Sequence, residues 1–267
     1  MDRRAGRRQG RALGPGGTRR RDPGPGGRGA GERADQRQGP GRGVTWRLPD
    51  PGPVPPGRVR VDCHVHTVHS GDAVSTVEQI AKRVAAERID VLCVTDHHSL
   101  DGAWEAVERD IGARVVVGEE IRTRAGEVIG LFLAERIPYV LPLPEVVRRI
   151  RDQRGVIYAP HPLDPNRTSL GAEGLRELHE HGALDVVEVC NAKISDPEHN
   201  AAAANFAARN DIPAAAGSDA HDPQGIGAAY LHMPDFDGPT DFLRKLPEAR
   251  IWGEHRDHVG WQPGRGS

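Results

Sequence analysis

The chain reads as an α/β protein whose parallel strands close, or nearly close, into a barrel, and three observations point there. Seven short, β-branched apolar runs alternate with helical segments between Val59 and His221. The runs are apolar on both faces, as strands covered by helices on either side must be. Six polar clusters sit at or just beyond the ends of those runs: Asp62-Cys63-His64-Val65-His66, Thr95-Asp96-His97, Gly118-Glu119-Glu120, Pro160-His161, Glu188-Val189-Cys190-Asn191 and Gly217-Ser218-Asp219-Ala220-His221. An open doubly wound sheet would gather its ligands at one switch point. A barrel collects them from nearly every strand at one rim.

The elements follow in order. Val59–Val61 opens a strand that ends at the first histidine pair. Ser75-Thr76-Val77-Glu78 reads as a capping box that starts an amphipathic helix over 76–88, with Val77, Ile80 and Val84 inward. Ile89–Val94 is the next strand, and the segment after Asp101 is helical. Arg114–Val117 and Val128–Leu133 are the third and fourth strands. Pro144 suits the first turn of a helix running to Gln153. Val156–Ala159, Asp185–Val189 and Pro213–Ala216 complete the strands, with helices over 171–181 and 197–210 between them.

The net charge of −2 hides a contrast. Residues 1–57 carry 13 Arg against 5 acids, with 15 Gly and 9 Pro. Such a segment buries too little apolar surface to offset chain ordering, so disorder is expected there. It is either a non-functional extension or an arm for RNA or acidic surfaces. Residues 58–267 carry 33 acids against 23 basic residues and suit one domain. An acidic body is a poor match for nucleic-acid phosphates and a good one for divalent cations. Cys63, Cys93 and Cys190 are odd in number and lie in strand-like runs, which suits reduced thiols and a cytoplasmic setting. No apolar stretch approaches the ~18–20 residues of a membrane span, and the start of the chain lacks the apolar stretch of a secretory signal.

The clusters suggest metal chemistry. His64 and His66 alternate on a strand, so both imidazoles reach one side and can share an ion. Asp219 and His221 repeat that spacing at the last strand. Asp72 lies in a glycine-containing loop, where it either reaches over the first strand or decorates the helix start. His97 ends an apolar strand, and its neighbour His98 reads as a bystander. Only one of Glu119 and Glu120 can face the mouth. Glu127 opens the next strand, either inward or as an ordinary hairpin-edge glutamate. His161 is held between two prolines. Glu188 and Asn191 read as groups that orient ligands or substrate. Arg167 and Lys193 either hold an anionic substrate or are solvated loop charges. His179, His181, His199, His232, His255 and His258 read as surface or incidental. The donors are all nitrogen or oxygen, favouring Mn²⁺, Fe²⁺ or Zn²⁺. Five histidines and four carboxylates exceed one ion's needs and suit two or three.

In this order the motifs resemble the PHP (polymerase and histidinol phosphatase) domain family of metal-dependent phosphoesterases, over about residues 58–232. The stretch from Gly118-Glu119-Glu120-Ile121 through Gly126-Glu127-Val128-Ile129-Gly130 is similar to the family's short, stand-alone subgroup. The resemblance implies a distorted (β/α)7 barrel with a trinuclear metal site at the C-terminal ends of the strands. His64, His66, Glu120 and Asp219 would hold one ion, with Glu120 bridging to a second completed by Glu127 and His161. Asp72, His97 and His221 would take the third. Position 127 is often His in relatives, so Glu127 bears on metal preference. Relatives acting on nucleoside phosphates can carry an insertion between the positions matching Glu127 and His161; here 33 residues separate them, implying an open site.

The activity implied is hydrolysis of a phosphomonoester or phosphodiester by a metal-bridging hydroxide. Arg167, with Lys193 in reserve, would hold the phosphate. Asn191 would orient, and His221 or a metal-bound water would assist the leaving oxygen. The expected partner is a small phosphorylated substrate, with an RNA or DNA end as the other candidate and no membrane. Two alternatives stand beside this reading. An amidohydrolase also begins with His-x-His on a barrel strand but wants a bridging lysine on a middle strand, and the runs contain none. A non-catalytic metal module is the other.

Overall fold

The computed structural model describes residues 46–50 and 52–256. Its strands are β1 (Arg58–Val65), β2 (Val91–Val94), β3 (Arg114–Arg122), β4 (Glu127–Leu131), β5 (Val156–Ala159), β6 (Val186–Asn191), β7 (Ala214–Gly217), β8 (Ala229–Pro234) and β9 (Arg250–Gly253). The helices are α1 (Val77–Glu87), α2 (Asp101–Glu108), α3 (Leu143–Asp152), α4 (Gly171–Glu180), α5 (Pro197–Arg209) and α6 (Gly238–Lys245). All nine strands form one sheet in the order β7-β6-β5-β4-β3-β2-β1-β8-β9. Its two ends approach each other, giving a nearly closed, barrel-like α/β fold.

Closure depends on β1 changing partners along its length. Arg58–Val61 pair antiparallel with β8. Beyond Asp62 the strand turns instead to the chain leaving β7: Asp219 N donates to His64 O (2.8 Å) and His66 N to Ala220 O (2.9 Å). The buried Asp62 carboxylate fills the fork between the two partners. It accepts from Ser218 N (2.9 Å) and His64 N (3.4 Å) through Oδ1, and from Gly227 N (3.0 Å) through Oδ2. Burial pushes its carboxyl up to about 6, and these N–H groups limit the rise.

The sheet is not wholly parallel. β4 runs antiparallel to both β3 and β5, whereas the alternation of runs predicts parallel strands throughout. Only four residues join β3 to β4, too few for the crossover that parallel neighbours need. The reversal matters for the site, because it brings the first residue of β4, Glu127, to the rim where the other strands end.

Two large cores flank the sheet, with a small third cluster of β6 and α5 residues. Leu92, Val94, Ile121, Val146, Ile157 and Leu175 pack between strands and outer helices. Alternate residues of the same strands, among them Val61, Cys63, Val91, Cys93, Val116 and Tyr158, group instead with Phe236, Phe242 and Leu246 around α6. All three cysteines are buried and free. The α1 cap lies one residue later than expected: Thr76 is the N-cap and Gln79 completes the box. Among the described residues no helix is long and apolar enough to cross a membrane.

The segment expected to be a leader through residue 57 is partly built into the fold. Leu48 N donates to Gly253 O, His255 N to Trp46 O, and the Trp46 indole to Ile194 O (all 2.8 Å). The ordered part thus reaches back at least to Trp46, whose ring has a surface to pack on that composition alone does not reveal. The expectation of disorder for residues 1–45 lies outside the described residues.

Gly217 allows the approach of β7 to β1. A Cβ added there would lie 2.3 Å from His64 Cβ and 2.6 Å from Glu188 Oε1. Neither neighbour is on a mobile surface, so the strands must part. Gly217→Ala is expected to cost roughly 1–3 kcal/mol, as overpacked cores do, and to lower Tm by about 2–4 °C per kcal/mol. Thermal unfolding checks this; an unchanged Tm would mean that the two strands have room to spare.

Candidate metal centre

The rim where β1, β2, β3, β5, β6 and β7 end carries a cavity of about 930 Å³, lined among others by Asp72, His97, Glu120, Glu127, His161, Arg167, Lys193, Asp219 and His221. His64 and His66 lie beneath it, wholly buried. The strand geometry explains the convergence. His64 and His66 share one face of β1, Glu120 takes the inward alternation of β3, and Glu119 turns to the outside. His161 and Asp219 follow β5 and β7 with left-handed backbones, φ 29° and 52°, a conformation that non-glycine residues hold only where surroundings enforce it.

The donors fall into four overlapping groups whose ligand atoms lie within 4.8 Å of one another: His66, Asp72, His97 and His221; His64, His161 and Asp219; His64, His66 and Glu120; and Glu120, Glu127 and His161. Glu120 spans two of them. Its Oε2 is 3.2 Å from both His64 Nε2 and His66 Nε2, while its Oε1 is 3.0 Å from His161 Nε2. Asp72 Oδ2 lies 3.4 Å from His97 Nε2 and 3.2 Å from His221 Nε2. Asp219 Oδ1 is 3.7 Å from His64 Nε2 and 3.5 Å from His66 Nε2.

The outer nitrogens of the rings are engaged elsewhere, which frees the inner ones. His64 Nδ1 sits 3.2 Å from Glu188 Oε1, and His66 Nδ1 2.8 Å from Ser70 Oγ. Glu188 is itself held by Tyr158 Oη (2.8 Å), His161 N (2.7 Å) and Asn191 Nδ2 (2.9 Å). A buried carboxylate that fixes the proton on Nδ1 leaves Nε2 as a lone-pair donor, the arrangement metal-bound histidines use. His221 Nδ1 meets the Asp219 carbonyl at 2.9 Å and Lys193 Nζ at 2.8 Å. The carbonyl can only accept and the Lys193 ammonium only donate, so the two favour opposite tautomers; Nε2 faces Asp72.

The electrostatics fit divalent cations. Burial would drive the His64 imidazole down, but Glu120, Asp219 and Glu188 together hold it well above its ordinary value. His97 is lifted to about 9 against its own burial by Glu120 and Asp72. Burial and the neighbouring His221 send His66 down to about 4. Burial and Glu120 push Glu127 up to about 7. Without metal, His64 and His97 supply positive charge to Glu120 and Asp219; divalent cations seated among the inward nitrogens would replace those protons. The donor set is nitrogen and oxygen only, suited to Mn²⁺, Fe²⁺ or Zn²⁺.

The structure brings every sequence-selected side chain to one cavity or its immediate floor. Arg167 Nη2 is 3.4 Å from Asp219 Oδ2 and Lys193 Nζ 3.8 Å from Asp219 Oδ1, so neither is a free loop charge. Asn191 Nδ2 donates to Asp219 Oδ2 (3.3 Å) as well as to Glu188. Three other histidines differ from a plain surface position. His98, read as a bystander, lines the cavity. His232 and His255, read as surface or incidental, are buried, on or just past the C-terminal strand pair β8–β9 and away from the site. His258 lies outside the described residues.

Glu119 illustrates the cost of the neighbouring position. It is fully buried; Oε2 accepts from Ile137 N (2.8 Å), Oε1 has no hydrogen-bond partner, and burial pushes its carboxyl from 4.5 up to about 7. A proton held more tightly in the folded than the unfolded state stabilises fully below about pH 4.5, and that contribution is lost as pH rises through about 7. Glu119→Gln is therefore expected to raise Tm relative to the parent at pH 8 and to change it little at pH 5. The same shift at both pH values in thermal unfolding would contradict this.

Comparison with known proteins follows the same lines. The PHP domain profile matches residues 62–159, and the PHP-associated profile matches residues 197–251. An uncharacterized protein of Methanocaldococcus jannaschii is 36% identical over 197 residues, covering 70% of this chain and 79% of that protein. A two-domain protein from Bacteroides vulgatus, containing a predicted PHP-like metal-dependent phosphoesterase, superimposes with a TM-score of 0.58 at 18% identity, covering 80% of this chain and 68% of that one. An amidohydrolase from Chromobacterium violaceum superimposes with a TM-score of 0.52 at 17% identity, covering 62% and 89%.

Proposed function

The chain belongs to the PHP domain family, and on that premise we propose that it is a metal-dependent phosphoesterase hydrolysing a phosphomonoester or phosphodiester. The substrate would be a nucleotide, an oligonucleotide end or a small phosphorylated metabolite. The observation that carries this reading is the convergence of nine nitrogen and oxygen donors on one cavity that is also lined by three cationic side chains, Arg122, Arg167 and Lys193. His64, His66, Glu120 and Asp219 would hold one ion, Glu120, Glu127 and His161 a second, and Asp72, His97 and His221 a third. When bound, such ions lower the pKa of coordinated water and neutralise charge on phosphoryl oxygens.

The remaining residues act on the substrate or on the ligands. Arg167 presents a planar fork of donors suited to phosphate oxygens, and its contact with Asp219 keeps it at the cavity floor. Lys193 is the second cation; burial lowers its pKa, bringing the ammonium closer to giving up a proton to a leaving oxygen. His221 has Nε2 turned to Asp72 and Nδ1 enclosed by Lys193 and the Asp219 carbonyl. That leaves it better suited to ligation than to assisting the leaving group. Asn191 orients Asp219 and Glu188 through its amide.

The amidohydrolase reading has the Chromobacterium violaceum neighbour in its favour. Against it, no lysine lies on any strand among the described residues, so a lysine bridging two ions from a middle strand is absent from the donor set. The two readings part on product. Incubation with Mn²⁺ and a panel of nucleotides, sugar phosphates and short RNA is expected to release inorganic phosphate or a phosphorylated fragment, whereas an amidohydrolase would act on amides alone.

His64→Ala removes a donor shared by two of the four groups and is expected to lose turnover together with bound metal, measured as phosphate release and metal content of the same preparation. Full activity in a metal-replete His64→Ala protein would overturn the ligand assignment. Arg167→Ala is expected to raise KM for a phosphomonoester about tenfold or more, because a charge-assisted contact is lost, with metal content unchanged.

A further inference from the structure

At the end of β1 opposite the metal centre, three arginines flank a buried histidine. The register of β1, β8 and β9 sets Arg60, His232 and Arg250 side by side in one row, with Arg58 on the same face of β1. The alternate residues Val61, Leu231 and Ile251 turn to the core around α6, so the row faces the other way. His232 is 2% exposed, and both of its ring nitrogens are buried without a hydrogen-bond partner. A neutral imidazole carries one N–H and one lone pair, so a donor and an acceptor are both left unsatisfied.

The charges around this ring are not balanced. Arg58 Nη2 donates to two carbonyls, His232 O (2.6 Å) and Glu248 O (2.9 Å). Arg60 Nη1 donates to Glu87 O (3.0 Å), and its guanidinium lies over the Tyr230 ring, 5.0 Å from the centroid. These contacts fix the two side chains without neutralising them. The neighbouring carboxylates are committed elsewhere. Asp90 accepts from Arg60 N (2.8 Å), Glu87 pairs with Arg83 and Arg256, and Asp235 pairs with Arg114. Among the described residues no carboxylate pairs with Arg58, Arg60 or Arg250, and the exposed Arg250 guanidinium makes no hydrogen bond. Burial and the three arginines lower the His232 pKa, with Asp90 opposing, so the ring adds no charge of its own near neutral pH. Like charges set opposite one another across strands destabilise, and an unsatisfied buried ring adds to that cost. An anion in the row offsets both.

We propose that Arg58, Arg60, Arg250 and His232 form a binding site for a free phosphate-type oxyanion, at the far end of the barrel from the metal centre. Arg58 and Arg60 supply a fixed floor, the His232 N–H adds a neutral donor, and Arg250 closes over the anion from β9. A tetrahedral oxyanion suits the site better than a carboxylate, because its oxygens point to all sides and can meet every one of these donors. The site does not depend on the phosphoesterase reading, since none of its residues lies at the rim.

Inorganic phosphate titrated into the full chain after chelator treatment tests this, at constant ionic strength. Nitrogen NMR of the His232 ring reads the site itself, with His232→Gln identifying the signals. The signals are expected to move and saturate in the millimolar range, and Arg250→Ala to weaken binding about tenfold or more. Arg250→Lys, which keeps the charge without the fork, is expected to fall between the two. Arg167→Ala, at the rim, is expected to leave the titration unchanged. Unmoved His232 signals, parental affinity in Arg250→Ala, or an equal response to acetate overturns the site. A stronger response to a short RNA without terminal phosphates than to phosphate overturns the free ion as its occupant.

Discussion

The architecture turns on one close approach. β1 must leave β8 after Asp62 and meet the end of β7, because only then do His64 and His66 lie opposite Asp219 and His221. Three residue choices make that possible. Gly217 has no Cβ to collide with His64. Asp62 bonds the N–H groups exposed where the strand changes partners. Ala220 lets the chain lie against Val65 in a parallel bridge. Every ligand distance at the rim depends on this seam, since it joins the first donor pair to the last.

The second constraint is charge. In the metal-free site the donors divide charge among themselves: mutual attraction holds Glu120 low and His97 high, while burial and like charge send His66 down and Glu127 up. Glu188 sets ring orientation from below, and Arg167 and Lys193 neutralise Asp219 from the side. The protein thus supplies fixed geometry and leaves a deficit of positive charge at the centre. That combination suits divalent cations, which once bound would attract a phosphate.

Much of this was legible in the sequence, for local reasons. A short apolar run ending in His or Asp is visible one strand at a time, and β5 matches its expected range residue for residue. The candidate ligands were legible because their spacing reports strand alternation. What escaped depends on long-range contact. The direction of β4 follows from a loop too short for a crossover. The β8–α6–β9 unit lies in a Gly- and Pro-punctuated region whose apolar runs have no period of their own. Trp46 and Leu48 are held by contacts with residues about 150 to 210 positions away. His98 reads as redundant beside a ligand candidate until the fold places it in the lining of the cavity.

The central claim is that this seam assembles a multinuclear metal centre. Metal content of the purified full chain, measured per protein molecule after Mn²⁺ loading and exhaustive desalting, tests it most directly. The account predicts two or three ions per chain, removed by a strong chelator. Retention of none, or of a single ion at saturation, would contradict it.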